Sequence, residues 1–194
     1  RYAANMGVYI DGEPGVCTNA QGTQLVYRLF FAPRYDPATK YPLVLFWHHS
    51  GCVGNNNVSQ LANVGQFCFL TASNQAKSPC FFLAPQMPKV PSNRAEGYSF
   101  LDCATNLLGQ LMGQFSIDPA RIYVTGTSLG GNSSWFMLAG YPDLVAAVVP
   151  MSASWMWLSL QDFLRSLSLP VWHFHAANDA TALVSNADAT VAGL

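Results

Sequence analysis

Short, predominantly apolar runs set between segments of helical spacing constrain this chain more than any other feature of its sequence. Leu43 to Trp47, Cys80 to Ala84, Arg121 to Thr125, Leu144 to Pro150 and Val171 to Phe174 are each too short for a helix of useful length and are bounded by Pro, Gly or Asn. Gln24 to Phe31 is a further β-rich run, closed by Ala32-Pro33. Between these runs, apolar residues recur at helical intervals. Val58 to Thr71 carries Leu61, Val64, Phe67 and Cys68, and Phe100 to Phe115 carries Leu101, Leu107, Leu108, Leu111 and Met112. Asn132 to Gly140 ends at Gly140 and Pro142, and a short helix is expected over Leu160 to Leu167. A strand without a polar face has to be covered on both sides. The alternation therefore predicts an α/β fold, a mostly parallel central sheet with helices on both faces and its chemistry on loops at the carboxyl ends of the strands. With 194 residues, 51% of them hydrophobic, residues 1–194 suffice for one domain with one sizeable core.

Composition narrows the partners. Charged residues make up 10% of the chain and the net charge is −1, so no basic field is present for nucleic acid. The longest apolar stretches fall far short of the roughly 20 residues of a membrane-spanning helix. Cys17, Cys52, Cys68, Cys80 and Cys103 form no C-x-x-C pair and no zinc spacing with His, so neither a metal nor a cofactor is expected. Disulfides fit these cysteines, although an odd count leaves one without an internal partner, and the plain alternative is small buried residues. With few charges and many Asn and Ser, they point to secretion, into an extracellular or periplasmic setting. The start at Arg1 fits a mature or trimmed form.

Gly126-Thr127-Ser128-Leu129-Gly130 follows the run Ile122 to Thr125 and precedes a helix. A serine that attacks a carbonyl needs its hydroxyl exposed beside a base and two amide donors, and a sharp strand-to-helix turn provides that position. The glycines two before and two after the serine remove side chains that would collide in such a turn. The helix that follows aims its positive end at the developing negative charge. A Gly-Ser turn that only caps the helix is the competing reading.

The segment Ile117 to Gly131 resembles the corresponding stretch of α/β-hydrolases in the group of predicted peptidases, feruloyl and acetyl-xylan esterases and polyhydroxybutyrate-depolymerase-like esterases. Tyr41-Pro42-Leu43-Val44-Leu45-Phe46-Trp47-His48, Leu83-Ala84-Pro85-Gln86-Met87-Pro88 and Tyr141-Pro142-Asp143-Leu144 are similar to landmarks of that group in the same order, and the likeness runs from about Leu25 to Asp179. It implies Ser128 as nucleophile and the backbone amides of Leu129 and Ser50 as the oxyanion hole. Where the group has His-Gly, this chain has His48-His49, a departure that puts a side chain where close backbone approach is usual. The resemblance makes His48 a structural histidine. It puts the catalytic acid at Asp179, after the strand that ends in His173-Phe174-His175, with Asp143 and Asp162 as weaker candidates. A helix-capping Asp179 is the alternative.

The chemical order Ser, Asp, His then asks for a histidine downstream of Asp179, and none follows His175. Three explanations stand: a C-terminally incomplete chain whose remainder carries the base, an unusual base at His48 or His49, or a relative that binds without turnover. The resemblance implies a serine esterase acting through an acyl-enzyme on short-chain or aromatic acyl esters, small or linked to polysaccharide. A carbohydrate-binding relative without activity and a serine peptidase are the other readings. Trp47, Trp135, Trp155 and Trp157 either stack on such substrates or belong to the core.

Overall fold

The computed structural model describes residues 12–62, 68–153 and 169–192, together with the backbone of a small antiparallel ribbon, β1 (Tyr2–Ala3) and β2 (Val8–Tyr9). The helix expected over 160–167 lies outside these residues, as do Val64, Phe67, Trp155, Trp157 and Asp162. The main sheet comprises β3 (Glu13–Thr18), β4 (Gln24–Phe30), β5 (Tyr41–Trp47), β6 (Phe81–Gln86), β7 (Ile117–Thr127) and β8 (Ala147–Met151). They lie in the order β3-β4-β6-β5-β7-β8. The pairs β5–β6, β5–β7 and β7–β8 are parallel, whereas β3 and β4 run antiparallel at one edge. At the other edge Val171 and Phe174 bridge in parallel to Val148 and Met151, so the last expected strand lies where the alternation requires.

The apolar character of β5 and β6 follows from burial on two faces. Leu43, Leu45 and Trp47 with Phe81 and Leu83 face one core, while Val44 and Phe46 with Phe82 and Ala84 face the other. Helix α1 (Ala72–Lys77) and the turns before it lie beside the second core, where Leu70 is buried and Leu61 and Phe69 pack. Helices α2 (Arg94–Gln114) and α3 (Leu129–Gly140) fill the first with Leu101, Leu107, Leu108, Leu111, Trp135 and Met137. Trp47 and Trp135 are thus core residues. A last helix, α4 (Val184–Ala192), follows the edge segment.

Two expectations are corrected here. The single helix over Val58 to Thr71 is replaced, among the described residues, by a 3-10 turn at Ser59–Leu61 and by α1, which starts only after Thr71. Local side chains cause this. The carboxamide oxygen of Asn56 accepts from the amides of Val58 and Ser59 at 3.0 Å each, and Thr71 Oγ1 caps α1 by accepting from Asn74 N at 3.2 Å. The cysteines form no disulfide among the described residues: Cys17, Cys52, Cys80 and Cys103 are buried as thiols and Cys68 is exposed. The nearest pair, Cys17 and Cys103, has its sulfurs 2.9 Å apart, beyond the roughly 2.05 Å of a bond. No helix among these residues is long and apolar enough to cross a membrane.

Gln86, fully buried at the end of β6, ties down the loop that leaves β5. Its Nε2 donates to Cys52 O at 3.0 Å and to Asn56 Oδ1 at 3.1 Å, and its Oε1 accepts from Asn57 N at 2.8 Å. Gln86→Leu is expected to cost about 2 kcal/mol, because it leaves the buried Cys52 carbonyl and the half-buried Asn57 amide without their partner rather than removing whole pairs; denaturant unfolding measures it.

Candidate active site

The carboxyl ends of the parallel strands come level. Trp47 is opposite Gly126, Thr127 opposite Met151, and Met151 opposite Phe174, so the loops after β5, β7 and the edge segment open along one rim. Ser128 occupies the turn between β7 and α3 with φ 57° and ψ −115°, a conformation an L-residue holds only when its surroundings impose it. Its amide donates to Met151 O at 2.9 Å. The flanking glycines explain how the turn fits. A Cβ on Gly130 would stand 1.9 Å from Trp47 O, and one on Gly126 would stand 2.5 Å from both Trp47 O and the Gly130 carbonyl. The turn is pressed against the end of β5 with no room for a methyl group.

That packing brings the start of α3 beside the loop after Trp47. Leu129 is the first residue of α3 and Ser50 the first of a 3-10 turn, Ser50–Cys52. The N–H at such a position has no carbonyl behind it in its own helix. The histidines between them have other duties. His48, 1% exposed, accepts from Met87 N at Nε2 (2.9 Å), which puts the ring proton on Nδ1, where it donates to His49 O at 2.7 Å. Burial pushes its pKa below the ordinary histidine value, against the opposing bond to His49. The His49 ring is engaged within its own turn: Nδ1 accepts from Gly51 N at 3.1 Å and caps the turn, and Nε2 lies 3.3 Å from Cys52 Sγ. The side chain that replaces the usual glycine is therefore accommodated in a cap. With both ring nitrogens committed to the backbone, His48 has no nitrogen available as a base.

Ser128 opens into a cavity of about 430 Å³ whose other walls come from α2, α3 and the segment after β6. Met87, Leu101, Leu129 and Phe136 make it apolar, and Tyr98, Arg94 and Asn132 bring polar groups. Asp179 lies on the loop beyond the edge segment. Its Oδ1 accepts from Ala182 N and Thr181 N at 2.9 Å each, and these two bonds hold its pKa below the usual carboxylate value, helped by His175. His175 Nε2 is 2.6 Å from Ala182 O and 3.7 Å from Asp179 Oδ2, so its ring ties both ends of this loop together. Among the described residues no group of His, Cys, Asp and Glu could hold a metal ion.

No protein-family model and no curated protein matches the sequence. Solved structures do match. A thermostable esterase is 30% identical, with 94% of this chain and 51% of that one covered and a TM-score of 0.84. The chain has the α/β-hydrolase fold. A CE1 ferulic acid esterase from Anaeromyces mucronatus shares that fold at 14% identity, covering 98% and 84% of the two chains at a TM-score of 0.74. So does a protein assigned as dipeptidyl aminopeptidase IV from Bacteroides ovatus, at 18% identity, 93% and 30% coverage and a TM-score of 0.69. The chain spans about half the length of the thermostable esterase.

Within this α/β-hydrolase fold, the first turn of α2 is the part of the site that local sequence patterns miss. Asn93, Arg94 and Tyr98 reach the cavity only because α2 packs against α3, and the sole signal in the sequence was the polar start of a long helix.

Proposed function

We propose that the chain supplies the nucleophile, oxyanion hole and acid of a serine esterase that hydrolyses carboxylic esters through an acyl-enzyme on Ser128. The strained turn at Ser128, facing a largely apolar cavity, is the observation that carries this reading: a capping serine needs neither the strain nor the opening. Ser128 Oγ attacks the ester carbonyl, and the oxyanion that forms takes hydrogen bonds from the Leu129 and Ser50 amides. Asp179, held ionised by two backbone amides, orients and stabilises an imidazolium. The serine proton passes to a general base other than His48, whose two ring nitrogens are both committed to backbone groups. The cavity suits short-chain or aromatic acyl groups.

A fluorophosphonate probe tests the nucleophile. Ser128 is expected to be the labelled residue by peptide mass mapping, and Ser128→Ala is expected to abolish labelling while the circular dichroism spectrum is kept. A folded protein that stays unlabelled, or a label elsewhere, refutes the assignment. Asp179→Asn is expected to cut the esterase kcat by a factor on the order of 10⁴ where the complete triad operates, read by ester hydrolysis.

A further inference from the structure

Among the described residues lining the Ser128 cavity, Arg94 alone is charged. It is the first residue of α2, so a cation stands at the positive end of a helix, where the macrodipole opposes it. The carboxylate that would normally offset it is engaged elsewhere. Glu96 pairs with Lys89 at 2.6 Å and accepts from Ser92 N and Oγ at 2.7 and 2.6 Å, bonds that hold its pKa down to about 2. Asn93, the other polar group of this turn, is committed to Glu96 N at 2.9 Å. The Arg94 guanidinium lies over the Tyr98 ring, 5.4 Å from its centroid, which fixes it against a wall of the cavity.

A cavity with an apolar floor, a nucleophile at one wall and one positive charge at another has a definite complement. We infer that Arg94 makes this site select esters that carry a carboxylate, the anion resting on the guanidinium while the ester carbonyl lies at Ser128. This rests on the esterase reading above and adds the charge of the substrate to it. A planar guanidinium offers a carboxylate two parallel donors, and a bound ligand would shield that pair from water.

The acid-bearing part of the substrate can be either its acyl or its alcohol half, and two matched pairs separate these. On the acyl side, 4-nitrophenyl hydrogen glutarate is compared with 4-nitrophenyl pentanoate; on the alcohol side, 4-acetoxybenzoate is compared with phenyl acetate. The quantity read is the ratio of kcat/KM for the anionic ester to that for the neutral one. In one pair the ratio is expected to fall about tenfold in Arg94→Gln and less in Arg94→Lys, which keeps the charge but loses the fork. The same ratio in Arg94→Gln as in the parent, in both pairs, overturns the inference. If no ester is hydrolysed by the parent, the esterase reading fails and Arg94 is judged separately by ligand-observed NMR. Phenylacetate bound more tightly than phenylacetamide, with the difference lost in Arg94→Gln, supports the anion site; equal binding of the two overturns it.

Discussion

Gly130→Ala is expected to destabilise the protein by about 3 kcal/mol or more, one methyl group producing an effect usually reserved for a ruined core. The added Cβ would lie 1.9 Å from Trp47 O and 2.4 Å from its carbonyl carbon, with His48 O at 2.9 Å. All three are backbone atoms of a central strand and the turn that leaves it, so no side chain can rotate to relieve the contact. Either β5 and the Ser128 turn separate, which opens the site, or the strand bends. The melting temperature is expected to drop by about 6–12 °C. The same substitution elsewhere supplies the control. Gly109 and Gly113 lie in α2, exposed, with nothing within 4 Å of a new Cβ, and alanine there is expected to raise stability by about 0.5–1 kcal/mol each through helix propensity. Equal melting temperatures for Gly130→Ala and Gly109→Ala would show that the close approach of turn and strand is not what holds the site.

The contrast between these glycines shows which parts of the molecule were legible from sequence. β5, β6, β7 and β8 could be read because two-sided burial writes itself as a local apolar run, and the Ser128 turn because its two glycines are required by contacts within a few residues of it or with one neighbouring strand. Strand β3 escaped notice for the opposite reason. It pairs only with β4, stays largely exposed, and tolerates Pro14 and Gly15 as edge strands do, so it carries no apolar signature. The crossover after β5 was misread since Asn56 and Thr71 start new turns at Ser59 and Ala72 by side-chain hydrogen bonds that hydrophobic spacing does not register. The cavity walls were beyond local reading: Arg94 and Tyr98 meet Ser128 through the packing of α2 on α3, some thirty residues along the chain. His49 was legible as a departure, while its role as a cap depended on a backbone geometry that only the fold supplies.

Acidification below neutral pH is expected to weaken the fold from the side of the Ser128 cavity, and His48 is the principal reason. Burial holds its pKa below the ordinary value of 6.5, and burial does the same to His173, where Asp188 opposes the shift. A histidine with a depressed folded pKa binds fewer protons in the native than in the unfolded state. Its contribution is therefore complete above pH 6.5 and is lost as pH falls from there toward the folded pKa. For His48 the loss approaches about 1.4 kcal/mol per pH unit in that window, and His173, partly exposed, adds less. Urea titrations at pH 7, 6 and 5 measure the slope; a stability that stays flat from pH 7 to pH 5 contradicts the assignment, and His48→Gln is expected to make the slope shallower. The structural reason lies in a single bond. Nε2 of His48 accepts the Met87 amide, so a second proton on the ring sets donor against donor at 2.9 Å. The fold then either keeps that proton out or releases Met87, a wall of the cavity next to Ser128.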